Sequence, residues 1–166
     1  MRLERTHDME IVEEVINHPM IVSRLTDSQD WNTIWDDGTT HFMLVLNNEE
    51  EVVGLYIVVR FNMWTWNVHS MFLPEAYKFG TLRAAKLLKE YIFEDLEALK
   101  IITQVPSYND FAKGYAQNTG MTYEGTIVKA FKKGETMYDL LMYGLTKEQY
   151  DASTSVDRSS SSGSIS

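Results

Sequence analysis

The sequence predicts one mixed α/β (α+β) domain with element order β-α-α-β-β-β-α-β-α-β-β. Three observations carry that prediction. At 166 residues with 44% hydrophobic content, the chain can bury one core and is too short for two of ordinary size. Strand-like runs rich in Val, Ile, Tyr and Phe alternate with segments whose apolar residues recur at threes and fours. The composition changes sharply only once, at about Asp151, where "DASTSVDRSSSSGSIS" has almost nothing to bury. The chain therefore divides into a domain over residues 1–150 and a Ser-rich tail over 151–166, expected to be flexible unless a protein partner holds it.

In chain order, "MRLERT" reads as a short strand. "DMEIVEEVINH" places Met9, Val12, Val15 and Ile16 on one helical face, with Asp8 as N-cap. A second helical piece covers Met20 to Leu25, and "TDSQDWNTIWDDGTT" is a loop with two tryptophans. "HFMLVLNNEEEVVGLYIVVRF" is two strands turning at Asn47-Asn48, and "WTWNVHSMFL" is a third. A long helix from Gly80 to about Leu99 puts Leu88, Tyr91, Ile92, Asp95 and Leu99 on one stripe. "KIITQVP" is a buried-type strand ended by Pro106. Asn109 caps a short helix whose inner face is Phe111, Ala112, Tyr115 and Ala116, and Gly120 stops it. "MTYEGTIVKAF" and "MYDLLMYGL" close the domain as a hairpin around "KKGET".

Composition excludes several functions. A net charge of −9 argues against a nucleic-acid partner, because neutralising phosphates needs clustered Lys and Arg. With no cysteine there is no disulfide, thiolate metal site or Cys nucleophile, and the four scattered histidines lack metal-ligand spacing, so no metal is expected. No apolar run approaches the roughly 20 residues that span a bilayer, and "MRLERTHDME" is too charged for a signal peptide. No membrane partner and a cytoplasmic location follow as expectations. The tryptophans Trp31, Trp35, Trp64 and Trp66 read as core, interface or the wall of a cleft.

"LPEAYKFGTLRAAKLLKEYIFE", residues 73–94, passes from a strand through a loop with one glycine directly into a helix. Strand, glycine loop and helix N-terminus is the arrangement that holds a phosphate on backbone amides. On the preceding strand Asn67 and His69 share a face by period-two alternation, and His69 has the pKa suited to removing a proton near neutral pH. The other reading of His69 is a half-buried histidine bonded within a sheet.

The element order and the segment "VPSYNDFAKGYAQNTGMTYEG" resemble the GCN5-related N-acetyltransferase (GNAT) superfamily, in its ribosomal-protein and small-molecule acetylating branch. Asn109, the small Ala112 and the pair Gly120-Met121 fall on that branch's motif, and the fuller pattern is similar to phage-encoded members, some of them head-assembly proteins. The likeness covers about residues 1–147. It implies a largely antiparallel central sheet flanked by helices, and acetyl-CoA as cofactor. Met71, Phe72 and Leu73 would line the pantetheine arm, Lys78, Gly80 and Thr81 would hold the phosphates, and Asn109 and Ala112 would frame the site.

The chain also departs from the family. The phosphate loop has Tyr77 where the pattern has Gln or Arg, and Leu82 where it has Gly or Ala. The tyrosine that protonates the leaving thiolate in many relatives falls here on Ala116, with Tyr115 one step earlier and its side chain turned by about 100°. Tyr115 is thus both a core residue and a candidate acid, beside His69 and Asn67. Two functions from different classes follow: N-acylation of a small-molecule or protein amine, or a structural protein that keeps the fold without the chemistry. For a phage-encoded chain the location would be the host cytoplasm or the virion.

Overall fold

The computed structural model describes residues 1–25 and 36–161. One seven-stranded sheet has the order β1-β2-β3-β4-β5-β7-β6, with β1 Arg2–Thr6, β2 His41–Leu46, β3 Val52–Arg60, β4 Thr65–Phe72, β5 Lys100–Pro106, β6 Thr122–Lys133 and β7 Thr136–Thr146. Every neighbouring pair is antiparallel except β4 and β5. The predicted mixed, largely antiparallel architecture is the one observed.

Helices cover both faces. On one side lie α1 (Met9–Ile16) and α2 (Pro19–Leu25), with α1 capped by Asp8, whose carboxylate accepts from Glu10 N at 3.1 Å. The inward stripe of α1, Val12, Val15 and Ile16, packs with Phe42, Leu44, Leu55, Ile57 and Met71. The other face carries α3 (Ala76–Phe79), α4 (Thr81–Glu90) and α5 (Asp110–Asn118) over a core that includes Tyr56, Val68, Phe72, Ala84 and Leu88. In β4 the alternation is therefore resolved: Asn67, His69 and Met71 face α1 and α2, whereas Trp66, Val68 and Phe72 face α4.

The β2–β3 turn is organised by Asn47, which is buried and accepts from the amides of Glu49 and Glu51, both at 2.9 Å. Trp66 is core, and Trp64 is exposed beside the β3–β4 turn. Trp31 and Trp35 lie outside the described residues.

Two expectations are corrected. The long helix does not reach Leu99: α4 ends at Glu90 and a π-helical turn occupies Tyr91–Asp95. The wider turn carries an extra residue, so Ile92 and Phe93 are both buried, while Asp95 and Leu99 are exposed rather than on the stripe. Phe111 is likewise 54% exposed, not on the inner face of α5.

The compositional step at 151 falls inside a helix. Helix α6, Lys147–Ser161, runs through most of the Ser-rich segment. Along it the hydroxyls of Ser153, Thr154, Ser155, Ser159 and Ser160 each donate to the carbonyl three residues back. The helix is anchored at its start, where Tyr150 is buried and stacks on Phe93 with ring centroids 4.7 Å apart. Tyr150→Ala should therefore lower stability by about 3 kcal/mol in urea melts. Truncation after Val156, beyond which Asp157, Ser159 and Ser160 are exposed, should change it by less than about 0.5 kcal/mol.

Candidate functional site

The site is where the sheet opens. Strands β4 and β5 pair at Thr65↔Lys100, Trp66↔Ile101 and Asn67↔Ile102, and then part. Each keeps its other neighbour: β4 stays on β3 to Phe72↔Gly54, and β5 stays on β7 to Pro106↔Leu140. At the apex Thr103 Oγ1 donates to the Val68 carbonyl at 2.8 Å, a side chain standing where the ladder stops. Gly54 lets β4 lie close on β3. A Cβ there would meet Phe72 Cδ1 at 2.8 Å and the Met71 carbonyl at 2.9 Å.

The parted strands floor a cavity of about 320 Å³, into which Val68–Phe72 and Thr103–Pro106 project from the two strands. Of the sequence-predicted residues, His69, Met71, Phe72, Asn109, Ala112 and Tyr115 line this cavity. Asn67, Leu73, Lys78, Gly80 and Thr81 do not line it, although Gly80 and Thr81 begin the helix that borders it. Asn109 caps α5, its Oδ1 accepting from Ala112 N at 3.0 Å. Gly80 has φ +87° with open space around its Cα, a conformation that favours glycine. No side chain caps the N-terminus of α4, so its first amides are available to a ligand.

The backbone along the opened edge of β4, the uncapped α4 and the small Ala112 together fit the pantetheine and diphosphate of acetyl-CoA. Lys78 is exposed beside that loop.

His69 lies on the α1/α2 side of β4, with its Nε2 3.4 Å from Asn67 Nδ2. Burial pushes the His69 imidazole below its ordinary pKa, so it is neutral near pH 7. Asn67 Oδ1 is buried without a hydrogen-bond partner among the described residues. The Tyr115 hydroxyl sits 2.7 Å from that of Tyr56 and 3.5 Å from the Thr81 carbonyl. Burial raises the pKa of both phenols, so each keeps its proton at neutral pH.

Sequence reasoning missed several contributors. Tyr56, Thr103 and Arg24 all border the cleft, yet each comes from an element distant in sequence and has no local motif. Arg24, from α2, donates to Tyr77 Oη at 2.7 Å and stands 5.6 Å from the centroid of the Phe111 ring. Tyr77 and Phe111 meet edge to face at 5.2 Å. The exposure of Phe111 thus reflects a place at the cleft mouth.

Two histidines set the pH dependence of stability. His41 is buried, bonded to Tyr91 Oη at 2.7 Å, and burial lowers its pKa as it does that of His69. With folded pKa values below the unfolded value of about 6.5, the folded state binds fewer protons in that range. Stability is therefore complete above about pH 6.5 and declines as pH falls below it. Thermal melts between pH 7.5 and 5.5 should show a falling Tm, with a shallower fall in His41→Gln. A Tm that holds steady or rises on acidification would contradict the buried neutral state.

Comparison with solved structures places this architecture. Spermidine N-acetyltransferase from Vibrio cholerae, in complex with CoA and spermine, superposes with TM-score 0.74 at 20% identity, covering 90% of this chain and 96% of that one. A chimera of the Vibrio cholerae enzyme with hSSAT gives TM-score 0.75 at 17% identity, over 92% and 99% of the two chains. A GNAT-family acetyltransferase from Bacillus anthracis gives 0.58 at 21%, over 66% and 67%. At these identities the likeness establishes the GNAT fold, and it lends no support to the phage-encoded resemblance. Comparison with curated proteins finds no match. The sequence matches the family described as "Protein of unknown function (DUF2824)" over residues 5–155. The chain is a member of the DUF2824 family, built on the GNAT fold.

Proposed function

We propose that the protein is an acetyl-CoA-dependent N-acyltransferase acting on an amine. The observation that carries this reading is the parting of β4 from β5 beside the uncapped N-terminus of α4. A continuous sheet would leave no edge for a pantetheine arm, and a side-chain cap would occupy the amides that a diphosphate needs. The solved relatives include one whose complex contains CoA and spermine.

When bound, acetyl-CoA would supply an acyl carbon activated as a thioester: the N–C bond forms, the C–S bond breaks, and the proton lost by the amine balances the thiolate. The chain's own groups divide the remaining work. The backbone of Met71 to Leu73 lines the arm in extended register, the Leu73 amide itself donating to the Val53 carbonyl at 3.0 Å, and the amides from Gly80 to Leu82 receive the phosphates along the α4 dipole. Lys78 adds charge beside them. His69, neutral and on the opposite sheet face, takes the proton from the amine, with Asn67 orienting its ring. Tyr115, kept protonated by burial and steadied by Tyr56, is the cleft hydroxyl suited to return a proton. Asn109 and Ala112 set the position of α5 and leave room beside the arm.

A second reading keeps the fold without the chemistry, as in a phage particle or head-assembly component that binds its partner through the tail over 151–166. Tyr77 and Leu82, which depart from the family's loop pattern, favour it.

Calorimetric titration with acetyl-CoA separates the two. The acyltransferase reading predicts micromolar binding, lost in Gly80→Glu, where a carboxylate opposes the phosphates and a Cβ strains the positive φ. His69→Ala should retain binding and lower kcat about 10²- to 10⁴-fold. The wild-type kcat/KM should fall with acidification through an apparent pKa below the ordinary 6.5 of histidine, a limb absent from His69→Ala. No affinity for acetyl-CoA at millimolar concentration, with a tail indispensable to partner association, would leave the structural reading standing.

A further inference from the structure

The cavity extends past the point where the sheet opens. Strands β4 and β5 are closed up to Asn67↔Ile102, yet the lining includes Ile101 and its β7 neighbour Leu145, which belong to the closed part. This inner arm runs beneath α4 and α5. Ile101 and Leu145 share a core with Leu88 of α4, whereas Ala116 of α5 packs in a separate core with Val105 and Tyr143, and Met121 touches both. The arm is the gap between these two cores, and the helices line it with the small side chains of Ala85 and Ala116.

The wall of the arm is hydrocarbon, made by Ala85, Leu88, Ile101, Ala116, Met121 and Leu145. Lys89, about 14 Å along α4 from Gly80, stands at its inner end. There the polar groups bond to one another: Lys89 Nζ donates to the Thr119 carbonyl at 2.8 Å, and Thr119 Oγ1 donates to the Ala116 carbonyl at 2.7 Å. This chemistry decides what fits. A pantetheine arm carries two amides and a hydroxyl, and burying them against hydrocarbon without partners would be costly. Their partners are on the opened edge of β4. An aliphatic chain has no polar group to satisfy and gains affinity with each methylene removed from water. With the diphosphate on the α4 amides and the pantetheine along β4, the group that reaches past the parting is the chain on the acyl carbon.

We propose that the arm is an acyl-chain subsite, and that the donor is a CoA thioester with a short aliphatic acyl group such as butyryl or hexanoyl. Acetyl-CoA is then the shortest member of a donor series. This rests on the acyltransferase reading and specifies its donor class. The transfer itself is unchanged: the N–C bond forms at the acyl carbon, the C–S bond breaks, and the proton lost by the amine balances the thiolate.

Calorimetric titration with acetyl-, butyryl- and hexanoyl-CoA, without an acceptor amine, tests the subsite. Butyryl-CoA should bind the wild type about tenfold more tightly than acetyl-CoA, because two more methylenes leave water, and hexanoyl-CoA at least as tightly as butyryl-CoA. Ala116→Leu, with its fold checked by circular dichroism, fills the arm and should abolish that gain while leaving the acetyl-CoA Kd within about twofold. Met121→Phe, at a half-buried position, narrows the same arm with less disturbance and should weaken hexanoyl-CoA selectively. Affinity in the wild type that is flat or falls with chain length would overturn the assignment whatever the variants do. So would a folded Ala116→Leu that keeps the gain, or one that weakens acetyl-CoA as much as hexanoyl-CoA, which would give the arm to the pantetheine. A wild type that binds none of the three thioesters would instead defeat the acyltransferase reading beneath it.

Discussion

The parting of β4 from β5 after Asn67 and Ile102 is the constraint on which the rest of the molecule depends. Two adjacent strands that stop pairing inside a domain expose backbone donors and acceptors, which is costly unless something satisfies them. The chain meets this cost locally. Thr103 takes the Val68 carbonyl, Gly54 lets β4 press against β3 on its far side, and β5 turns its pairing wholly to β7. Helices α4 and α5 then roof the gap, with Tyr115 reaching Tyr56 beneath them. What remains is an opened strand edge beside a helix N-terminus, and a cavity of about 320 Å³.

Chemistry is segregated by the two faces of β4. Alternation along the strand sends Val68 and Phe72 to the α4 side and His69 and Met71 to the α1/α2 side. In the proposed acyltransferase, phosphate recognition through backbone amides would fall to the first face and proton transfer by His69 to the second. Arg24 bonds to Tyr77 and Lys133 to the Ser23 carbonyl, so two cations stand at the cleft mouth of an acidic protein. No helix among the described residues is long and apolar enough to cross a membrane.

Much of the fold was legible because its signals are local. Asp8 and Asn109 as caps, Asn47 at its turn, and the stripe Val12-Val15-Ile16 all act within a few residues of themselves. The π-helical turn at Tyr91 was not legible, since it follows from packing Ile92 and Phe93 together, with Tyr150 stacked from a distant helix. Part of the cleft was readable as well: alternation along one strand placed His69, and a spaced motif placed Asn109 and Ala112. Arg24, Tyr56 and Thr103 reach the cleft by tertiary folding alone, from positions where arginine, tyrosine and threonine carry no pattern. Phe111 misled for the converse reason: its helical spacing says core, but Tyr77 and Arg24 recruit it to the mouth.

The account's central claim is that the opened edge of β4 is a ligand-binding backbone. Amide hydrogen exchange over residues 68–73 and 80–83, measured with and without saturating acetyl-CoA, tests it most directly. The account predicts slowed exchange in both segments on addition of acetyl-CoA, with little change in the edge strands β1 and β6, because the ligand would bond to the first set and touch none of the second. Exchange along β4 and the start of α4 that is unaltered by saturating acetyl-CoA would contradict it.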